Sequence, residues 1–306
     1  MSARWVAGSV RARALARRRL DAERVRTLAA SHSAAEAVGS LAGSQYGDRV
    51  RTDHDVAAAQ RAVAEALLWD LRVLAGWLPR EGVEALRALA GWFEIANVDE
   101  HLRALAGEPA DPPFRLGHLA TVWPQLAAAT SPSLLRTALA VSPWRDPGSA
   151  EPRDIQVSMR LAWAERVASR APSAAGWARA AAALLVARAG PASGGRLPGG
   201  AAETVARLLG PAAAHAGSLP ELATAVPVRV RWALDGLDLP ADLWTAEVRW
   251  WRRIAAEGAA MLGRGGFGPE SAIGAAALLA ADARLVRAAM EAAARGGARE
   301  AFDAVA

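Results

Sequence analysis

The fold is decided by VAAAQRAVAEALLWDLRVLAGWLP, residues 56–79. Val56, Val63, Leu67, Leu71, Leu74 and Leu78 recur at steps of three, four and seven, which gathers them on one face of an α-helix. Asp53 or Asp55 can cap its start and Pro79 ends it. The same period recurs outward along the chain. Ile155, Met159, Trp163 and Val167 form a second stripe, ended near Pro172. Trp244, Val248, Trp251, Ala255 and Leu262 form a third, closed by GRGGFG at 263–268. A last helix is predicted from about Pro269, with Leu279, Val286 and Met290 inward and a stop at Gly296–Gly297. Alternation of apolar and polar residues is nearly absent, and Tyr and Phe are scarce. The sequence predicts an all-α protein.

Composition narrows the chemistry. At 306 residues the chain can bury a large core, and 53% hydrophobic against 22% charged residues excludes disorder over most of it. It has no Cys, which removes disulfide scaffolds, zinc–cysteine modules, iron–sulfur sites and cysteine nucleophiles. The pI of about 11.0 comes from an absence of Lys: all 36 basic residues are Arg, so a net charge of +5 persists to high pH. It is therefore poor support for nucleic-acid binding. Arginines occupy the place of a signal peptide's apolar core, and AIGAAALLAADARLVRAAM (272–290) is broken by Asp282 and Arg284, so a soluble chain is expected.

Two Pro/Gly-rich stretches, EPADPPFRLG (108–117) and GPASGGRLPGG (190–200), divide the helices into blocks of about 1–107, 115–190 and 200–297. The glycine run lacks the GK[ST] ending of a phosphate loop and reads as a hinge. Each block carries a turn-like element, LAGSQYGDRV (41–50), LAVSPWRDP (139–147) and LATAVPVRV (222–230), followed by a long helix and an Ala/Leu/Arg helix. Three tandem copies are the expectation.

The least generic segment is WFEIANVDEHLRAL (92–105), whose apolar face is Ile95, Val98, Leu102 and Leu105. Glu94 and Asn97 lie beside that face, near the presumed helix start, where a carboxylate meets the positive end of the dipole and an amide can bridge to neighbouring backbone. Asp99 and Arg103 are spaced for an ion pair. Packing is favoured over a catalytic acid because no nucleophile, second carboxylate or metal cluster stands nearby. His32, His54, His101, His118 and His215 have no metal-ligand spacing. Arg11, Arg13, Arg17, Arg18 and Arg19 form the densest basic tract, a solvated helix or a surface for anionic headgroups or an acidic partner. Most tryptophans fall beside apolar stripes and read as packing; of Trp250 and Trp251, about 100° apart on a helix, one is expected to face outward.

Four segments together resemble the C/d-type subunit of V-type and A-type rotary ATPases. WVAGSVRARALARRRLDAERVRTL (5–28) is similar to the family's opening helix, and LAGSQYGDRV, through Ser44, Tyr46 and Gly47, to its L-x-x-T-x-Y turn. FEIANVDEHLRAL resembles the acid-x-x-Asn…Leu-Arg helix through Glu94, Asn97 and Arg103, and LPGG at 197–200 the motif after the second linker. The last helix keeps Asp282 and Arg287, with Leu285 where the pattern has Asn. The resemblance implies three similar helical bundles related by pseudo-threefold symmetry in a funnel-like body. It implies no catalytic, cofactor or metal residues, with Tyr46, Glu94, Asn97, Arg103, Asp282 and Arg287 structural, and Arg17, Arg18, Arg19, Trp250 and Trp251 open to an interface. The implied partners are the central-stalk subunits and the membrane rotor ring. No nucleic acid or small-molecule substrate is implied, and a cytoplasmic place peripheral to the plasma membrane would be reached only through the complex. The alternatives are an all-α interaction or regulatory module, or a helical enzyme whose acid–base pair converges from distant segments.

Overall fold

A computed structural model describes residues 3–191 and 197–306, and among these every regular element is helical. The hinge at 190–200 therefore lies partly outside the described residues. In chain order the α-helices are α1 (Val6–Arg17), α2 (Ala22–Ala29), α3 (Ala34–Ser40), α4 (Val56–Ala75), α5 (Arg80–Leu105), α6 (Trp123–Ala127), α7 (Pro132–Ala140) and α8 (Pro152–Arg170). They continue as α9 (Ala175–Ala189), α10 (Gly199–Leu209), α11 (Pro211–Ala214), α12 (Leu219–Ala225), α13 (Val228–Arg231), α14 (Leu243–Gly263), α15 (Pro269–Ala294) and α16 (Arg299–Val305). No helix among the described residues is long and apolar enough to cross a membrane.

The chain forms two compact units, one joining Met1–Gly82 to Trp251–Ala306, the other Val83–Trp250. In the first, α15 packs against α1, α2, α3, α4 and α16. Its segment from Ser271 to Leu279 is buried all round, which explains its small residues: alanine lets neighbours approach from every side and loses little side-chain entropy. Side-chain caps fix where the surrounding helices begin. Asp21, Ser33 and Asp55 accept from the amides of Arg24, Glu36 and Ala58 at 2.8, 3.2 and 2.7 Å. Of the two expected caps of α4, Asp55 serves, while Asp53 pairs with Arg51. Leu28, Val38, Leu41, Val63, Val286 and Met290 belong to the core of this unit.

In the second unit Ile95, Val98 and Leu102 of α5 pack with Leu126, Leu135, Leu139, Trp144, Ile155 and Met159. Nearby α8 packs on α9, and α9 on α10, α12 and α13. Ser131 and Ser218 cap α7 and α12.

The buried line of α14 keeps Val248 of the expected stripe and otherwise departs from it. Ile254, Gly258 and Met261 are turned inward, while Trp244 is about half exposed and Trp251 and Leu262 are half-buried. The reason is a glycine pair. A Cβ on Gly274 would stand 2.7 Å from the Gly258 carbonyl oxygen, and one on Gly258 would stand 3.1 Å from the Gly274 carbonyl oxygen, so the two backbones touch. A hydrophobicity stripe gives no weight to glycine and so misses the face. Replacing Gly274 by Ala should lower stability by roughly 1–3 kcal/mol, despite alanine's better helix propensity. Gly39→Ala in α3, where a Cβ meets nothing, should raise it by up to about 1 kcal/mol. Urea midpoints of the two variants moving in opposite directions check this; a stabilised Gly274→Ala contradicts the close crossing.

Candidate functional site

Two buried carboxylates organise the interior, one in each unit. Glu94 is 1% exposed and lies in the middle of α5, which begins at Arg80, about three turns earlier than the sequence suggests. The dipole at a helix start is therefore not what holds it. Its carboxylate accepts from the amides of Thr121 and Val122 at 2.5 and 2.9 Å and from the Trp144 indole Nε1 at 2.9 Å. Arg166 stacks its guanidinium 4.4 Å from the centre of the Trp144 ring and donates to the Thr121 hydroxyl at 2.8 Å. Burial lowers the pKa of Arg166, and the Glu94 charge opposes that shift.

Asp282 is 4% exposed on α15. Its Oδ2 accepts from the Tyr46 hydroxyl at 2.6 Å and from Gln45 Nε2 at 2.7 Å. Burial pushes its carboxyl up to about 6, against the opposing pull of the Tyr46 hydrogen bond and the Arg19 charge. Burial, followed by the Asp282 charge, raises the Tyr46 phenol well above its ordinary value.

The turns that supply these donors are built alike. In Leu41–Tyr46 the Ser44 hydroxyl donates to the Leu41 carbonyl at 2.7 Å and accepts from the Tyr46 amide at 3.1 Å. In Leu139–Trp144 the Ser142 hydroxyl donates to the Leu139 carbonyl at 2.8 Å and accepts from the Trp144 amide at 3.0 Å. Leu-x-x-Ser-x-aromatic is thus one local design used twice, with the aromatic donor aimed at an acid on a long helix.

Other sequence candidates fall around these ties. Asn97, 1% exposed, bridges both backbone groups of Phe114: its Nδ2 donates to the carbonyl at 3.0 Å, and its Oδ1 accepts from the amide at 2.6 Å. With Phe93 edge-on to Phe114 at 5.2 Å and Glu100 accepting from the Asp111 amide at 2.8 Å, the Pro-rich 108–117 stretch is strapped along α5. The expected Asp99–Arg103 pair is replaced. Asp99 binds Arg160 of α8 at 2.6 Å, and Arg103 pairs with Glu100 and Glu108 at 3.3 and 3.6 Å. Across 61 residues the α8 guanidinium offers two hydrogen bonds that the helical neighbour does not. Arg287 is exposed on α15.

Arg17, Arg18 and Arg19 diverge. Arg17 and Arg18 are exposed, whereas Arg19 turns back to donate to the Ala16 carbonyl at 2.7 Å. Neither Trp250 nor Trp251 faces freely outward: both are half-buried, Trp250 Nε1 donating to the Trp177 carbonyl at 2.9 Å and Trp251 lying 5.7 Å from the Arg284 guanidinium. Trp5, Trp144 and Trp177 are buried, while Trp69, Trp77, Trp92 and Trp244, expected beside apolar stripes, are about half exposed.

Trp144, Gln45 and Arg166 are the participants that the sequence reading passed over. Aligning LAGSQY with LAVSPW reveals Trp144; the donating amides of Thr121 and Val122 leave no side-chain signal. Among the described residues no three His, Asp or Glu side chains are grouped to hold a metal ion. No protein-family model matches the chain, and no curated protein matches it.

Trp144→Phe keeps most of the packing but removes a donor from a buried carboxylate, so it should cost about 1–3 kcal/mol in denaturant unfolding. A cost near zero contradicts the tie. For Asp282 the native state binds more protons than the unfolded chain between the ordinary value of 3.8 and about 6. Its contribution is complete below 3.8 and is lost as pH rises through about 6. At roughly 1.4 kcal/mol per pH unit, this amounts to about 3 kcal/mol. The stability of the protein relative to Asp282→Asn should fall by about that much between pH 4 and pH 7; parallel curves exclude it.

Proposed function

We propose that this chain is a non-catalytic coupling subunit of a V-type or A-type rotary ATPase, a socket joining the central stalk to the membrane rotor ring. The observation that carries the reading is the repeated tie, in which Tyr46 and Trp144 occupy the same position of the same turn and each donates to a helix-borne acid. It supports three tandem bundles with pseudo-threefold symmetry. In the third, α9 stands for α5 and α15, the turn at 222–230 stands for the two described, and apolar packing replaces the carboxylate. The order of the resembling segments supports the same assignment, with Glu94, Asn97, Asp282 and Tyr46 as scaffold residues.

In this role the chain turns over no substrate and binds no cofactor. It works at the cytoplasmic face, reaching the membrane through the ring rather than by its own insertion. A second reading, an all-α interaction or regulatory module outside rotary ATPases, is favoured by Leu285, which stands where the family pattern carries Asn. The two separate in one experiment. Tagged at its C-terminus and purified from detergent-solubilised membranes of its own cells, the chain should recover nucleotide-binding, stalk and ring subunits in fixed stoichiometry. Recovery without any ring or nucleotide-binding subunit overturns the assignment.

A further inference from the structure

Most arginines for which the structure shows an ionic contact pair with nearby carboxylates, as in Arg136–Asp146, Arg160–Asp99 and Arg253–Glu257. One place in the first unit departs from that habit. Trp69 on α4, 47% exposed, has the guanidinium carbons of Arg49 and Arg72 each 5.4 Å from its ring centre. Beside it Asp70 is raised above its ordinary value by burial, a shift opposed by the charges of Arg18, Arg11 and Arg49. None of these three arginines has a carboxylate within 4.0 Å among the described residues, Asp70 included. Arg11 lies on α1 and Arg18, seven residues on, caps its C-terminal end, and the Arg11 Nε is buried with no acceptor. The charges of Arg11, Arg18 and Arg49 thus act on one carboxylate, while the guanidiniums of Arg49 and Arg72 lie over one half-exposed indole.

We propose that this patch, centred on Trp69 and formed by Arg11, Arg18, Arg49 and Arg72, docks an acidic segment of a partner protein. Three features select that occupant. Trp and Arg are the residue types that concentrate binding energy at protein interfaces, because a rigid apolar ring and a planar donor fork lose little freedom on contact. Arg11, Arg18 and Arg49, with no carboxylate within 4.0 Å among the described residues, match a surface that brings spaced acids. Asp70, next to Trp69 and within the field of Arg11, Arg18 and Arg49, repels a lattice with one charge on every unit, such as a phosphate backbone or an anionic bilayer. A protein, by contrast, can set a donor opposite Asp70 and carboxylates around it. This holds whether or not the chain works in a rotary ATPase.

The test uses the full chain and a fluorescently labelled, alanine-based helical peptide with glutamates along one face, followed by anisotropy at low ionic strength. The peptide should bind, and Arg18→Glu with Arg49→Glu should weaken it about tenfold or more, with unchanged melting temperature. Should the reversals disturb folding, Arg18→Gln with Arg49→Gln gives the same comparison. Trp69→Ala should weaken binding even where added salt has screened the charges. Arg253→Glu with Arg299→Glu, outside the patch, should leave affinity unchanged. No binding of the peptide, equal loss in that outside pair, or indifference to Trp69 overturns the proposal. So does tighter, patch-dependent binding of single-stranded DNA or of phosphatidylglycerol vesicles, which would assign the patch to nucleic acid or to lipid.

Discussion

A carboxylate buried in a helical interior is the constraint on which the other arrangements depend. Transferring it from water costs several kcal/mol unless donors replace the lost solvent. The helix that carries it cannot supply them, because its own amides in mid-helix are already bonded along the chain. Donors must come from segments outside regular helix, where amides are unspent, or from side chains held on such segments. Glu94 and Asp282 therefore draw turns and loops onto the middles of α5 and α15. The short helices preceding those turns, α3 of 7 residues and α7 of 9, are below the length at which isolated helices persist. Docking of the turns against a buried acid, with Leu41 and Leu139 driven into the cores, holds them.

The two ties differ in a way that follows from reach. Glu has one more methylene than Asp, and Glu94 spans two successive loop amides while still meeting the indole of Trp144. Asp282 meets a phenol and a side-chain amide on one oxygen, both neutral donors, with Arg19 acting at a distance. Two neutral donors on a single oxygen leave the burial of the Asp282 carboxylate only partly offset. Hence the upward shift at Asp282, which makes this tie responsive to protons near neutrality.

What the sequence reveals depends on whether the cause is local. Helical period is local, so α4, α8 and α15 are legible from Leu, Val and Ile spacing, and the stop after α15 from Gly296 and Gly297, both with positive φ. Close approach of backbones is a property of pairs, so the Gly258–Gly274 crossing and the true face of α14 are not. Asn97 is legible as an amide beside an apolar face, whereas the partner of Asp99 is not, because Arg160 lies 61 residues away and displaces the helical neighbour Arg103. Glu94 stands out by type; its partner Trp144 emerges only when the two turns are compared serine for serine.

The replacement of every lysine by arginine has a structural consequence beyond the pI. An ammonium is strongly hydrated and sits apart from apolar rings, while a guanidinium is planar and weakly hydrated and lies over them. Arg166 covers Trp144 in the second unit, Arg160 reaches Trp92, and Arg284 reaches Trp251. Trp92 and Trp251, partly out of the core, are thereby shielded on a face without losing an open edge. At Trp69 the same chemistry stands on two sides of one ring, with further guanidiniums gathered around Asp70. What elsewhere finishes the packing of a core becomes, where Arg11, Arg18 and Arg49 have no carboxylate within 4.0 Å among the described residues, a surface whose charges are left for another molecule to satisfy.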